Sequence, residues 1–194
     1  MLKSIEGNFD NPEVHELLTK HFVELRAASP EGSAHVLDIP GLKDKSIKFW
    51  SLWQDEMLMG CGALKFLEKD HGEFKSIRIH DNFRRMGNGI NVINHLINEA
   101  KKLNIKKLSI ETGAGEFFKP ARKLFKQCGF EICDPFAHYK EGPTCAMKRR
   151  LLRTAFARRR WPAPASASPA AKRAITFLTS PITWAVRRIP PVIA

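Results

Sequence analysis

The fold of this chain is decided by residues 73–89, which read EFKSIRIHDNFRRMGNG. Residues 73–79 form a β-rich run, and the segment that begins near Gly89 has apolar residues at a helical period of about 3.6. Arg84, Gly87 and Gly89 lie in the junction between the two. Glycines let the backbone approach a phosphate closely, and a helix amino terminus presents unpaired N–H groups. We therefore expect an anion-binding loop between a strand and a helix.

Three helices and seven strands are predicted within residues 1–148, and the stretch at 28–45, mostly loop, could contain one further short helix. Asn11 and Pro12 form a helix-start signal, because asparagine caps helices and proline suits the first helical position. Pro120 opens the last helix, and Gly129 stands where a left-handed helix cap would fall. The expected strands are residues 2–6, 47–53, 57–67, 73–79, 108–110, 130–132 and 144–147. This order predicts an α/β (α+β) domain with a mixed sheet and one central crossover.

The net charge of +12 is concentrated at the carboxyl end. Residues 149–194 contain ten Lys or Arg and no acidic residue, which leaves 22 basic residues against 20 acidic ones in residues 1–148. The same boundary separates a segment rich in Lys, Ile, Asn and Glu from one rich in Arg, Ala and Pro. We therefore expect a folded domain at 1–148 and a basic extension at 149–194.

The extension is expected to be loosely packed or disordered, because its prolines and small residues cannot sustain a core. Residues 147–160 could form a cationic helix at its start. Contact with an anionic membrane surface is an alternative for the extension. Specific nucleic-acid binding is not expected, since residues 1–148 are nearly balanced in charge.

The four cysteines form no CxxC pair, and no histidine stands at metal-ligand spacing from them. We therefore expect reduced thiols, no disulfide framework and no metal. The amino terminus lacks the apolar run of a signal peptide, and the chain has no apolar stretch of about 18 residues. These features favour a cytoplasmic protein.

Three blocks of the sequence together resemble the GNAT N-acetyltransferase superfamily, in particular its small single-domain bacterial members. The blocks are residues 73–89, 108–113 and 120–130. The likeness extends in order and spacing over roughly residues 1–148. It implies the acyl-CoA N-acyltransferase fold, in which helices flank a mixed sheet whose central strands splay apart.

The resemblance implies that acetyl-coenzyme A is the co-substrate and binds where the strands at 73–79 and 107–111 splay apart. The backbone of Ile77 and Ile79 would pair with the pantetheine arm. The pyrophosphate would be held by the loop of Arg84, Arg85, Met86, Gly87, Asn88, Gly89 and Ile90. The far side of the cofactor would be lined by Thr112, Phe118, Ala121 and Phe125.

Two positions depart from the pattern of the family. Phe118 stands where an asparagine is frequent, and Phe125 stands where a tyrosine is the proposed acid for the leaving thiolate. Tyr139, the single tyrosine of the chain, is therefore the candidate acid. Glu73 and Glu111 are candidate bases, because a carboxylate acting through water can deprotonate the attacking amine. Each of these three residues could instead be an ordinary packing or solvated group.

Arg78 and His80 could recognise a carboxylate on the acceptor, or they could pair with surface acids. Trp50 and Trp53 differ by three positions on one strand, so they should face opposite sides. One is expected in the core, and the other could line an acceptor pocket.

The predicted activity is transfer of an acetyl group to the primary amine of a small-molecule or amino-acid-like acceptor. One alternative is a coenzyme A binding module with little transfer activity. Another is a domain whose basic tail localises it to membrane or nucleic acid. A homodimer is compatible with all three interpretations.

Overall fold

The computed structural model of the chain describes residues 2–140 and 142–151. Their strands are β1 (Leu2–Glu6), β2 (Ile47–Gln54), β3 (Met57–Glu68), β4 (His71–Ile79), β5 (Lys107–Gly113), β6 (Glu131–Ile132) and β7 (Thr144–Arg150). Their helices are α1 (Pro12–Ala28), α2 (Ile39–Leu42), α3 (Asn88–Lys102) and α4 (Lys119–Gln127). The strands form one seven-stranded sheet with the order β1-β2-β3-β4-β5-β7-β6.

The sheet is mixed, as the sequence predicted. β1 to β4 form an antiparallel meander, and β7 pairs antiparallel with both β5 and β6. β4 and β5 are the parallel pair, and α3 is the crossover that connects them. A parallel pair requires such a crossover, because its second strand must start at the same end of the sheet as the first. The expected splayed α+β sheet with one central crossover is therefore confirmed.

Local capping signals fix where the helices begin and end. The Asn11 side chain accepts hydrogen bonds from the N–H groups of Glu13 and Val14, at 2.9 and 3.3 Å. α4 includes Pro120 in its first turn, and Gly129 follows it with a left-handed φ of 78°. These are the positions that the sequence predicted, because capping depends on residues only a few places apart.

Two apolar cores cover the two faces of the sheet. One contains the inner residues of α3, including Ile93 and Leu96, and the other contains Val14 of α1. Trp50 belongs to the first core and Trp53 to the second, so the prediction that they face opposite sides is confirmed. Both tryptophans are buried.

The carboxyl end of the described chain is a strand. β7 runs through Arg150, because its backbone pairs with β5 along the whole stretch from Thr144 to Arg150. The cationic helix expected from residue 147 therefore does not begin there. The rest of the extension, residues 152–194, lies outside the described residues, and the domain boundary at 148 stays a prediction.

All four cysteines are free thiols in this structure. Within residues 2–140 and 142–151, no group of three His, Cys, Asp or Glu residues could hold a metal ion. No helix in that part of the chain has the length and apolar character needed to cross a membrane.

Gly60 should be intolerant of any side chain. A Cβ atom there would lie 2.5 Å from the Arg78 carbonyl oxygen and 3.2 Å from Ile79 Cα, both backbone atoms of β4. We expect Gly60→Ala to lower the free energy of unfolding by about 1–3 kcal/mol, the usual cost of overpacking. Gly142→Ala is the control, because a Cβ atom there meets nothing within 4 Å. Urea unfolding measures both, and equal stability of the two variants would contradict the close approach of β3 and β4.

His21 should make the fold sensitive to mild acid. Burial and the neighbouring Arg78 lower the pKa of His21 from 6.5 to about 4, with Glu24 opposing and Arg84 adding to the shift. Between these pH values the unfolded chain binds a proton that the folded chain does not, so stability falls as pH falls. From pH 7.5 to pH 5, wild type should lose about 2 kcal/mol more than His21→Gln. Urea unfolding at the two pH values checks this, and parallel losses would refute it.

Candidate functional site

A cleft opens where β4 and β5 stop pairing. Their parallel ladder runs from His71 opposite Lys107 to Phe74 opposite Ile110 and then ends, although both strands continue. β4 turns away at a bulge, since Ser76 has a φ of 49° and β4 carries one more residue than β3 at this point. Bulges bend strands and increase their twist. The far halves of β4 and β5 are therefore held apart.

The cleft has a volume of about 1350 Å³. Eleven of the thirteen residues predicted to bind the cofactor line it, namely Ile77, Ile79, Arg84, Arg85, Gly87, Gly89, Ile90, Thr112, Phe118, Ala121 and Phe125. Arg78 and Glu111 line it as well. The structure thus brings residues from β4, the following loop, α3, β5 and α4 to one cavity.

Met86 and Asn88 are not among the residues that line the cleft. Met86 points to solvent with 69% of its surface exposed. The Asn88 side chain instead donates a hydrogen bond of 3.1 Å to the Phe83 carbonyl. This bond ties the start of α3 back to the loop and holds the loop in shape.

The loop before α3 presents backbone to the cleft. Gly87 is the residue before the helix and has a left-handed φ of 80°, while Arg85 has a φ of 61°. The first N–H groups of any helix lack partners in the preceding turn. A Cβ atom on Gly87 would meet nothing within 4 Å, so the backbone there is open to a ligand. Arg84 and Arg85 add positive charge beside this helix terminus.

An aromatic ring forms the opposite wall. Phe118 lies against Gly113 so closely that a Cβ atom on Gly113 would fall 2.1 Å from the ring. Arg122 donates hydrogen bonds to the carbonyls of Gly113 and Gly115, at 2.6 and 2.8 Å. These contacts fix the end of β5 to α4 and give the cleft a rigid side.

A buried polar cluster of Glu73, Lys75 and Tyr139 lies beside the end of the cleft where β4 and β5 still pair. Lys75 Nζ donates to the Tyr139 hydroxyl at 2.6 Å and lies 3.1 Å from Glu73 Oε1. The Tyr139 hydroxyl donates to the same Glu73 oxygen at 2.5 Å. Glu73 has no exposed surface, and neither Glu73 nor Tyr139 lines the cleft, whereas Lys75 does. Of the three residues, Lys75 is therefore the one placed to meet a ligand directly.

Tyr139 keeps its proton in this cluster. Burial and the adjacent Glu73 carboxylate raise the pKa of its hydroxyl above the ordinary value. The Tyr139 ring is held by His35, Phe136 and His138. The hydroxyl is thus a fixed donor to Glu73 and an acceptor from Lys75.

Sequence reasoning missed Lys75. A usable signal was present, because residues two apart on a strand point to the same face, and Lys75 stands two places after Glu73. Lys75 Nζ also donates to the His35 carbonyl at 3.1 Å, which connects β4 to the loop between α1 and α2.

Glu111 is the predicted carboxylate that reaches the cleft. Burial raises its pKa, while Lys75 and a hydrogen bond with Thr144 oppose the shift. A carboxylate with a raised pKa accepts protons more readily near neutral pH. Of the two candidate bases, Glu111 is the one placed to meet a ligand.

Arg78 and His80 have different environments. Arg78 lines the cleft, is only 5% exposed and donates from Nη1 to Glu24 Oε2 at 2.6 Å. His80 does not line the cleft. Its Nδ1 accepts a hydrogen bond from the Asn82 N–H and caps the short turn that follows β4, and its ring lies edge-on to Phe83.

Neither Trp50 nor Trp53 lines the cleft. His21 and Leu25 of α1 do, together with residues of the loop that follows the helix. α1 and the loop that follows it thus form one wall of the cleft.

The same chain segment matches a known family and known proteins. The family described as Acetyltransferase (GNAT) matches residues 11–130. The chain is 41% identical over 140 residues to YsnE of Bacillus subtilis, described as an uncharacterized N-acetyltransferase. The matched residues cover 72% of this chain and 93% of YsnE.

Solved structures share the fold. An acetyltransferase of Bacillus subtilis in complex with CoA superposes with a TM-score of 0.58 and 20% identity, over 78% of this chain and 100% of the other. A GNAT family acetyltransferase of Elizabethkingia anophelis with acetyl-CoA bound gives a TM-score of 0.56 and 20% identity, over 77% and 97%. The family match, the close relative and the splayed sheet agree, and the chain belongs to the GNAT acetyltransferase family.

Proposed function

We propose that this protein transfers the acetyl group of acetyl-coenzyme A directly to the primary amine of a small-molecule or amino-acid-like acceptor. The observation that carries the proposal is the cleft between β4 and β5, which ends at the glycine loop and the α3 amino terminus. Solved proteins of the same fold hold CoA or acetyl-CoA. Membership of an acetyltransferase family supports the same co-substrate here.

The loop supplies the groups that a pyrophosphate needs. Backbone N–H groups at a helix terminus and adjacent guanidinium groups each form charge-assisted hydrogen bonds with phosphate oxygens, worth about 1.5–3 kcal/mol apiece. Arg84, Arg85, Gly87 and Gly89 all line that end of the cleft. We infer that they hold the pyrophosphate of coenzyme A.

The free edge of β4 suits an extended arm. The His80 N–H bonds to the Met59 carbonyl of β3 at 2.9 Å. Because successive strand residues turn their amides to opposite sides, the Ile79 N–H points away from β3 and into the splayed gap. The pantetheine arm can then pair with Ile77 and Ile79 as an added strand would.

The chemistry is nucleophilic addition followed by loss of the thiolate. The neutral amine attacks the thioester carbonyl, a C–N bond forms, the C–S bond breaks and coenzyme A leaves with the electron pair. The proton lost by the amine passes through water to Glu111. Lys75, held by Glu73 and Tyr139, puts a positive charge beside the reacting group, where negative charge develops. Phe125 lines the same cleft but cannot protonate the thiolate.

The test is release of coenzyme A thiol across a panel of primary amines. We expect turnover with at least one amine and none without an acceptor. The phenylalanine at position 125 favours one competing function, a coenzyme A binding module. Tight CoA binding with no turnover on any amine would establish that function and exclude ours.

A negative charge at Gly87 should disrupt cofactor binding. A side chain there has open space, so Gly87→Glu and Gly87→Gln pay the same strain of about 1 kcal/mol for the left-handed backbone. Only the glutamate repels the pyrophosphate. Calorimetric titration with CoA should show at least a roughly tenfold weaker affinity for Gly87→Glu than for Gly87→Gln. Equal affinities of the two variants would rule out a pyrophosphate at this loop.

Removal of the Glu111 carboxylate should slow transfer in a pH-dependent way. Above the raised pKa of Glu111 the carboxylate is ionised and can accept the proton, so Glu111→Gln should reduce kcat roughly 10²–10⁴-fold at pH 8. Below that pKa the wild-type residue is protonated, and the ratio of wild-type to variant rate should fall toward one. Glu116→Gln is the matched control, because Glu116 is exposed and pairs with Lys119. Thiol release measured from pH 5 to pH 9 tests this prediction. A ratio of wild-type to Glu111→Gln rate that stays constant with pH would contradict the role of Glu111 as base.

A further inference from the structure

Arg78 is a buried cation in a fixed orientation. Its side chain is 6% exposed, and Nη1 donates to Glu24 Oε2 at 2.6 Å across the gap between β4 and α1. The same contact lowers the pKa of the Glu24 carboxyl, so Glu24 is ionised at neutral pH. The guanidinium plane is therefore held from one side by α1.

The other edge of the guanidinium has no protein partner. Within residues 2–140 and 142–151, nothing accepts a hydrogen bond from Arg78 Nε or Nη2, and both atoms are buried. The Asp81 carboxylate lies 3.6 Å from Nη2, which is too long for a hydrogen bond. A buried charged donor without an acceptor costs several kcal/mol. We therefore expect a route by which a ligand can reach these two atoms. Arg78 lines the cleft, and the cleft is that route.

Nε and Nη2 form one donor edge of the guanidinium, along which two N–H bonds point in the same direction. This edge matches the two oxygens of a carboxylate, which it binds with a pair of N–H···O bonds. We propose that the acceptor carries a carboxylate bound at this edge of Arg78, which makes the substrates amino acids. The proposal rests on the proposed function, since it names the class of acceptor for that reaction.

The position of Arg78 suits a short acceptor. Arg78 and Lys75 stand opposite Cys61 and Ala63 of β3, two residues apart, so their Cα atoms are separated by roughly 7 Å along the strand. Both residues line the cleft. A carboxylate at Arg78 therefore leaves an α-amine of the same molecule close to the region of Lys75 and Glu111.

The charges around Arg78 also favour an anion. Lys20, Arg78 and Arg84 are the cations of this cluster, and Glu24 and Asp81 are its acids. The cluster has one unbalanced positive charge. A bound carboxylate would neutralise it, whereas a cationic acceptor without a carboxylate would be repelled.

Binding in the presence of CoA tests the site without depending on transfer. The ligands are the common amino acids, each compared with its own carboxamide, which keeps the amine and side chain but removes the negative charge. Calorimetry should show binding of at least one amino acid and at least a roughly tenfold weaker affinity for its amide.

Two substitutions and one control connect the preference to Arg78. Arg78→Lys keeps a cation for Glu24 but loses the planar donor edge, and Arg78→Met loses both. Each variant should therefore reduce the preference for acid over amide by about tenfold or more. CoA binding by each variant verifies that it is folded. Arg26→Lys makes the same change on the exposed side of α1 and should keep the preference.

The inference is overturned if no amino acid binds, if acids and amides bind equally, or if both Arg78 variants keep the wild-type preference. Thiol release with the same ligands separates the two proposals. Carboxylate binding that depends on Arg78, with no transfer to any amine, would refute the transferase function and leave the carboxylate site standing. Transfer to amines that lack a carboxylate, with no preference for acids, would support the transferase function and refute the carboxylate site.

Discussion

The separation of β4 from β5 beyond Phe74 and Ile110 is the constraint on which the rest of the site depends. It leaves backbone of two strands unpaired on facing edges, which is costly in a sheet unless a ligand or water satisfies it. The bulge at Ser76 and the close approach at Gly60 set the direction in which β4 departs. The loop before α3 and α3 itself follow the end of that strand. The same bend therefore sets the direction in which the α3 amino terminus faces the cleft.

β4 also divides the site into two environments. On one face Phe74, Ile77 and Ile79 belong to or pack against the core under α3 and α4. On the other face Lys75 and Arg78 carry charge, and each is held by an acid from β4 or α1. Charged groups at this burial persist only when paired, and Arg78 alone of the two keeps buried donors, Nε and Nη2, without a partner among the described residues. The strand thus provides both a support for the cofactor and a polar wall for an acceptor.

The sequence predicted the parts of this structure that depend on near neighbours. The Asn11 cap, the left-handed glycine at 129 and the glycine loop before α3 each need only a few adjacent residues. The side-chain pairs were not predictable, because Lys75 meets Tyr139 across 64 positions and Arg78 meets Glu24 across 54. The end of β7 was missed for a related reason, since its polar residues form a strand only because β5 supplies a partner edge.

The parallel pair also bears on how the chain reaches its native state. β2, β3 and β4 are joined by turns of two residues, with Asp55 and Glu56 both at positive φ in the first turn, so these hairpins can form early. β4 meets β5 only after α3 has crossed over, and contacts so distant in sequence form slowly. Until β5 docks, the far edge of β4 is an open template for another chain. Conditions that slow this docking should therefore favour aggregation through β4.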